Sequence, residues 1–424
     1  MIDTVKRRLY FVVAHYFGFW AKFVLRRWRP RIVVITGSTG KTTLLHLVEA
    51  QLGNKAVYSH HANSALGVPF HILGLPPNVE SRGKWLSQLA KAPLAAFRTP
   101  PATKLYVVEA DCDRPNEGRF LGKLLKPEVT LWVTVFRTHS MNFDRLVPGT
   151  FVAHEEAIAY EFGHFAANTQ KLVVANGDQP VVVDQLKRVA GGVKVTKISQ
   201  QGVQKYVNTD SDTVYSIDGK EIHLGGLQPK ELGNSLQMVN ALLEFLDAPL
   251  DAAYQQFELP PGRSSVFKGI NDLTIVDSTY NTGLGAMTAI LGLFNDFSKP
   301  HKWVVLGDIL EQGSLEKGEH QRLAEVVAGL QLDHVVLLGP RTHKYTYPIL
   351  KEKLTIPVVS FDRPDEVLEY LRANLKGGEA LLFKGGRFLE GVIEQLLQNP
   401  ADAKHLVRRE ASWVKRRQKW GLPR

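Results

Sequence analysis

Residues 32–43 read Ile32-Val33-Val34-Ile35-Thr36-Gly37-Ser38-Thr39-Gly40-Lys41-Thr42-Thr43, and the helix-forming stretch Leu44–Leu52 follows. A β-branched run that breaks at a glycine turn and resumes as a helix is the strand–loop–helix build of a phosphate-binding loop. In that build the amides of Gly37, Ser38, Thr39 and Gly40 and the helix N-terminus face phosphate. Lys41 supplies a mobile positive charge, and Thr42, with Thr43 beside it, places a hydroxyl for Mg²⁺. The generic pattern has a glycine five residues before Gly40. Ile35 stands there, so the loop is a compact variant.

Outward from this loop, strand-like and helix-like segments alternate, which predicts an α/β architecture with largely parallel sheets. At 424 residues the chain has room for two or three cored domains. The single cysteine, Cys112, excludes a disulfide framework and a multi-cysteine zinc site, and it points to a reducing, cytoplasmic location. The fourteen histidines form no His-rich tract. His60-His61 reads as a loop pair, because neighbours on an extended chain point opposite ways.

Lys104–Ala110 predicts a strand that delivers Glu109 to its C-terminal edge, where open parallel sheets bind ligands and metals. Val129–Val135 predicts another, with Arg137 and His139 in the loop beyond it. Lys171–Ala175 is a third, ending in Asn176-Gly177-Asp178-Gln179-Pro180. Residues 206–224 alternate and turn at Asp218-Gly219, an antiparallel hairpin, and Leu236–Leu246 is an apolar helix. Pro260-Pro261-Gly262 is the clearest linker. After it come strands at Leu273–Val276, Trp303–Leu306, His334–Leu338, Pro357–Ser360 and Ala380–Phe383. The expected division is 1–30, 31–259, 260–400 and 401–424.

The net charge of +10 sits at the two ends. Residues 1–31 hold eight cations against Asp3, and residues 404–424 hold eight against Glu410, so the body between them is −4. Basic ends suit an anionic lipid surface better than nucleic acid here, and no nucleic-acid partner is expected. Leu9–Leu25 is apolar, aromatic and flanked by basic clusters, and at this length it is marginal for crossing a bilayer. It is read either as a helix in the membrane interface, with Trp20 and Trp28 near the headgroups, or as a helix packed on the protein's own sheet. The tail around Trp413 and Trp420 is a second surface contact or a solvated end.

Taken in order, several of these motifs resemble the Mur ligases, ATP-dependent enzymes that join a carboxylate to an amine in peptidoglycan precursor synthesis. Thr36–Thr43 resembles their nucleotide loop. Asn63-Ser64-Ala65-Leu66-Gly67-Val68-Pro69 is similar to the segment that follows it in the D-alanyl-D-alanine-adding branch. Val108-Glu109 and Asp113-Arg114-Pro115-Asn116-Glu117 resemble that branch's metal-binding strand and turn, and Asn176–Pro180 resembles a further loop. Past the linker, Asp277-Ser278-Thr279-Tyr280-Asn281, Val305–Glu311 with His320, and Lys384-Gly385-Gly386-Arg387 match in sequence order. The resemblance spans about residues 30–398. It implies a P-loop central domain with a parallel sheet and a Rossmann-like α/β C-terminal domain.

The resemblance also implies the chemistry. A carboxylate is a poor acyl donor, so such ligases move the γ-phosphoryl group of ATP onto it, and an amine then attacks the acyl phosphate. By resemblance Lys41 and the loop amides hold the phosphates, and Thr42 and Glu109 hold Mg²⁺. His139 is the candidate for a second metal or the transferring phosphoryl group. Asn240 faces adenine, and Arg263, Asp277 and Tyr280 close on the nucleotide. Asn63, Ser64, Arg114, Asn281, Lys384 and Arg387 meet the substrates, with Lys384 and Arg387 on the amine's carboxylate. A muramoyl peptide and a D-amino-acid dipeptide are the implied substrates.

Three departures stand out. The family's N-terminal domain, which grips UDP, has no counterpart ahead of a loop starting near residue 36, leaving the donor open between UDP-linked and lipid-linked forms. The family's carbamylated lysine has no equivalent in Val152–Phe162, where Glu156 lies nearest and offers a carboxylate directly. Leu236 stands where a histidine is expected four residues before Asn240. Two alternatives remain open: a related ligase of polyglutamate or cyanophycin type, and a non-ligating P-loop ATPase at the membrane surface.

Overall fold

The computed structural model describes residues 2–60, 62–76, 82–209, 212–280 and 283–422. The chain forms two compact units. One comprises Met1–Val135, Arg145–Val203 and Gly233–Phe257, the other Phe136–Asp144, Gln204–Leu232 and Glu258–Arg424.

From the N-terminus come α1 (Ile2–Trp28), β1 (Arg31–Thr36), α2 (Lys41–Leu52), β2 (Val57–Tyr58), α3 (Gly67–Leu73), α4 (Arg82–Ala96) and β3 (Leu105–Ala110). Then follow α5 (Glu117–Leu125), β4 (Val129–Trp132), α6 (His154–Ala167), β5 (Leu172–Asn176), α7 (Pro180–Gln185) and β6 (Lys194–Ile198). Strands β7 (Val203–Asn208), β8 (Asp212–Ile217) and β9 (Lys220–Gly225) belong to the second unit, and α8 (Leu232–Leu246) returns to the first.

The first sheet is parallel, in the order β2-β3-β1-β4-β5-β6. Its central β1 is flanked on both sides, and Ile32, Val33, Val34 and Ile35 are all buried. That is why the run shows no polar alternation: helices cover both faces. The order brings the ends of β1 and β3 together, with Ile35 opposite Glu109.

The second unit continues with β10 (Ser265–Lys268), β11 (Thr274–Ser278), α9 (Leu284–Asn295), β12 (Lys302–Gly307), α10 (Glu316–Ala328) and β13 (His334–Leu338). It ends with α11 (Tyr347–Lys353), β14 (Val358–Phe361), α12 (Pro364–Asn374), β15 (Ala380–Lys384), α13 (Leu389–Glu394) and α14 (Ala411–Gln418). Its sheet runs β10-β11-β15-β12-β13-β14, parallel except for β10, which pairs antiparallel with β11. Val304, Leu306, Val335, Leu337 and Leu382 join one core cluster, while Trp303, Val305, Val336, Leu338 and Leu381 join the other. Alternate residues thus feed opposite faces of one covered sheet. The expected hairpin is present as β8 and β9, and its turn residues Asp218 (φ 52°) and Gly219 (φ 72°) both take the left-handed conformation such tight turns require.

Helix α1 buries Ala14, Phe17, Ala21, Val24 and Trp28. It lies on α3 and α4, with the Phe17 and Phe70 ring centroids 4.5 Å apart. Trp28 corrects the expectation of an interfacial ring: it is 2 % exposed and its indole N–H donates to the Thr103 carbonyl at 2.8 Å. It closes the last turn of α1, where helical phase turns it inward. At the other end of the chain, Arg417 is 3 % exposed and approaches Glu390 (3.6 Å) and Glu394 (3.7 Å). Arg408 pairs with Glu390 at 3.2 Å and Arg409 with Glu394 at 2.7 Å, so α13 neutralises part of the basic tail. Among the described residues no helix is long and apolar enough to cross a membrane.

Candidate active site

In the first unit, Gly37 (φ 130°) passes so close to Thr134 that a Cβ there would lie 2.7 Å from its carbonyl oxygen. Only glycine fits. Thr134, which the sequence reading passed over, staples the loop. Its carbonyl accepts from Ser38 N at 2.8 Å, and its hydroxyl accepts from Thr39 N at 3.0 Å. Gly40 (φ 85°) precedes α2 and no side chain caps that helix, so its first amides are oriented for an anion.

Lys41 is buried and folds back over the loop. Its ammonium donates to the carbonyls of Gly37 (2.6 Å) and Ser38 (3.2 Å) and lies 2.7 Å from Asp111 Oδ2. Burial alone would lower its pKa, but Asp111 and Glu109 more than reverse this and the net shift is upward. Asp111 was not among the expected site residues. It sits two residues past Glu109, beyond the end of β3, and only the fold shows that it faces Lys41.

Glu109 is 7 % exposed. Its backbone N–H donates to Ser59 Oγ at 2.9 Å, and its Oε1 accepts from Asn63 Nδ2 at 3.2 Å. Asn63 and Glu109 are therefore brought together. Ser64 instead holds the start of α3, accepting from Gly67 N at 3.0 Å. The Thr42 hydroxyl and the Glu109 carboxylate are both hard oxygen donors at the edge of the loop, a donor set that fits Mg²⁺. For ATP, the uncapped α2 terminus and glycine cradle fit the phosphates. The half-buried Asn240 on α8 has an Oδ1 with no hydrogen-bond partner, which fits an adenine contact.

Arg114 is held by α1 and α5: its guanidinium lies 4.2 Å from the Tyr10 ring centroid and 3.7 Å from Glu117. Tyr10 OH donates to Glu117 Oε1 at 2.6 Å. Burial, with Asp113 adding, pushes Glu117 up to about 7, against the opposing pull of Tyr10 and Arg114. Glu161, also missed from sequence, is 6 % exposed and accepts from Asn116 N (2.8 Å) and Gly118 N (3.1 Å), anchoring the same turn. Glu156 sits in the first turn of α6 and accepts from Val152 N at 3.1 Å. The Asn176–Pro180 motif is structural: Asn176 Nδ2 donates to the Val133 carbonyl (3.0 Å), and Asp178 accepts from Gln200 N (2.8 Å).

In the second unit, β11 and β15 lie side by side, with Ser278 opposite Lys384. Lys384 is 4 % exposed and donates to Ser278 Oγ at 3.3 Å. Burial, reinforced by Arg263 and partly offset by Asp277, brings it down to about 7. Asp277 is fully buried. One carboxylate oxygen accepts from the Thr279 amide and hydroxyl, the other has no partner, and burial raises it to about 6. Arg263 lies over the Tyr280 ring, 3.9 Å from its centroid. These four candidates share one strand-end cluster. Asn281 lies outside the described residues, as does His61 of the expected loop pair.

Arg387 is ion-paired with Asp308. Its Nε (3.1 Å) and Nη2 (3.0 Å) both reach Asp308 Oδ2, and Arg341 meets the same oxygen at 3.3 Å. Asp308 is fully buried and also accepts from the amides of Arg341 and Thr342. His139 folds with this unit, its Nδ1 hydrogen-bonded to Glu311, while neighbouring Ser140 Oγ donates to the Gln312 carbonyl at 3.0 Å and Arg137 pairs with Glu319 at 2.9 Å.

Residues 35–239 match the Mur ligase middle domain, and residues 262–387 match the Mur ligase, glutamate ligase domain. A UDP-N-acetylmuramoyl-tripeptide–D-alanyl-D-alanine ligase from Synechocystis sp. is 26 % identical over 391 residues, covering 88 % of this chain and 77 % of the relative. The protein of the same name from Bacillus subtilis is 23 % identical over 396 residues, covering 90 % and 79 %. Among solved structures, a MurF ligase from Thermotoga maritima in complex with ADP superposes with a TM-score of 0.70 at 20 % identity, over 90 % of this chain and 82 % of that one. A MurF from Acinetobacter baumannii gives 0.72 at 17 %, over 90 % and 80 %. These two likenesses establish the fold.

Proposed function

The chain belongs to the Mur ligase family, and from that premise we propose that it is an ATP-dependent carboxylate–amine ligase adding a D-alanyl-D-alanine-type dipeptide to a muramoyl peptide. One observation carries the reading: a glycine loop leads into an uncapped helix whose Lys41 is held at the loop by Asp111, with Glu109 on the adjacent strand end. Phosphoryl transfer needs positioning and charge neutralisation more than covalent help. The loop amides and Lys41 hold the β- and γ-phosphates as the donor carboxylate oxygen takes the γ-phosphoryl group. Thr42 and Glu109 would hold Mg²⁺, which would supply neutralising charge there. The amine then attacks the acyl carbon, losing a proton as the C–N bond forms and phosphate leaves. Lys384 supplies the cation for the dipeptide carboxylate, with Asp277, Arg263 and Tyr280 beside it, and Glu156 supplies the carboxylate that other members obtain from a modified lysine.

Purified protein with ATP and Mg²⁺ tests this, given D-alanyl-D-alanine and a muramoyl tripeptide in UDP-linked and lipid-linked forms. ADP release that needs both substrates, with an amide product by mass spectrometry, is the expected result. ATP consumption that ignores both substrates would overturn it.

A lipid-linked donor and a peripheral membrane position are favoured by one feature. Leu9 (61 % exposed), Val12 and Phe19 on α1, with Leu86 and Leu94 on α4 and Phe97 beyond it, form an exposed apolar face. The two helices are joined by Tyr16 OH on the Leu89 carbonyl (2.8 Å) and Arg27 on the Ala96 carbonyl (2.7 Å). Exposed Lys22, Arg26, Lys91 and Arg98 add positive charge, the pattern of a helix resting on anionic lipid.

A further inference from the structure

On α2 and just past β2 lies a second cluster of ligating side chains that phosphoryl transfer does not use. His46 and Glu49 stand one turn apart on the same face of α2, and His60 follows the short strand β2. The ligand atoms of the three all lie within 4.8 Å of one another. His60 Nε2 is 2.9 Å from Glu49 Oε2, and the rings of His46 and His60 have centroids 5.2 Å apart at 59°. All three are half-buried, so an ion can reach them.

We propose that His46, Glu49 and His60 form a binding site for a divalent transition-metal ion of the Zn²⁺ class. The donor set is two imidazoles and one carboxylate. Such a set selects Zn²⁺, Co²⁺ or Ni²⁺ over Mg²⁺, which prefers all-oxygen ligands. With metal–ligand bonds of about 2.0–2.2 Å, ligand atoms around a tetrahedral ion stand roughly 3.4 Å apart. The Glu49–His60 pair is already inside that spacing, and His46 is within 4.8 Å of both. Three protein ligands leave a fourth position for water. The ion would join α2, the helix that begins at Lys41, to His60, whose neighbour Ser59 accepts from the Glu109 backbone N–H. From sequence His60-His61 reads as a loop pair, and His46, fourteen residues before His60, gives no local sign that it joins His60.

The test uses the full chain, stripped of metal and kept in excess MgCl₂ so that oxygen-ligand sites are filled. Co²⁺ is titrated and followed by its visible d–d absorption, with Zn²⁺ binding measured by calorimetry. One equivalent of either ion is expected, with a raised melting midpoint that H46Q and H60Q abolish while H301Q keeps it. E49Q, which retains both imidazoles, weakens Zn²⁺ at least about tenfold, since even outer-shell losses cost about 10–100-fold. Circular dichroism without metal shows whether each variant folds, and E49Q carries the test if a histidine variant does not. No stoichiometric ion in excess Mg²⁺, or an ion that survives E49Q and the folded histidine variants unchanged, overturns the proposal.

Discussion

Lys41 Nζ lies 2.7 Å from Asp111 Oδ2 with both side chains largely out of solvent, so before nucleotide arrives the lysine's charge is already matched. A phosphate must compete with that carboxylate. D111N removes the competitor and leaves a buried cation in want of an anion, which is costly. The apo variant should melt lower than wild type, and saturating ATP should raise its midpoint by more than it raises the wild type's. K41M should cut ATP turnover by about 10²-fold or more, since preorganised charge on a developing phosphoryl group is worth at least that.

Glu117 should make stability fall with rising pH. Folded, it keeps its proton up to about 7 against an ordinary value of 4.5, so between those values the native state binds more protons than the unfolded one. Its contribution is complete at low pH, is lost as pH climbs from about 4.5 to about 7, and is flat above. At about 1.4 kcal/mol per pKa unit the span is up to roughly 3 kcal/mol. Urea unfolding at pH 5 and pH 7.5 should show a smaller difference for E117Q than for wild type.

Lys384, brought down to about 7, should lose its charge as pH rises through neutrality. The KM for the carboxylate-bearing amine should therefore climb above about pH 7. K384R keeps a permanent cation and should flatten that profile.

Glu156 and Glu155 share the first turn of α6, and either side chain has the charge to substitute for a modified lysine. E156Q should lower the phosphoryl-transfer rate by about 10²-fold, the scale of removing one aligned charge, and E155Q far less. Single-turnover ADP formation separates the two, and equal losses would refute the assignment.

The apolar face of α1 and α4 should bind vesicles. F19E/L94E changes two exposed side chains, so it should leave the unfolding free energy within about 1 kcal/mol of wild type and abolish flotation with anionic vesicles.

The sequence exposed most where local and global signals coincide. The loop at Gly37–Thr43, the Asp218-Gly219 turn and the parallel strands of the second unit each carry their own periodicity or turn chemistry. Edge strand β10 was hidden because its half-buried alternation starts three residues after a proline-glycine linker. What stayed invisible is tertiary. Residues 136–144 follow a strand of the first unit yet pack in the second, through pairs such as Arg137–Glu319 that lie 182 residues apart. Arg387 was read as a substrate ligand, and only the fold shows that buried Asp308 holds it. Asp111 and Glu161 were overlooked because one carboxylate among several beside Glu109, or one on a helix, has no local signature until its partner is in place.

The clamping of α1 has a consequence for orientation. Tyr10 is tied to Glu117, Tyr16 to the Leu89 carbonyl and Trp28 to the Thr103 carbonyl. A bilayer that unpeeled the helix would strand each of those polar groups. On the lipid surface proposed for it, the helix would therefore ride as a fixed runner rather than uncoil as a tether. The first unit would meet the membrane at one set angle, holding the turn that carries Arg114 at a constant height above the headgroups.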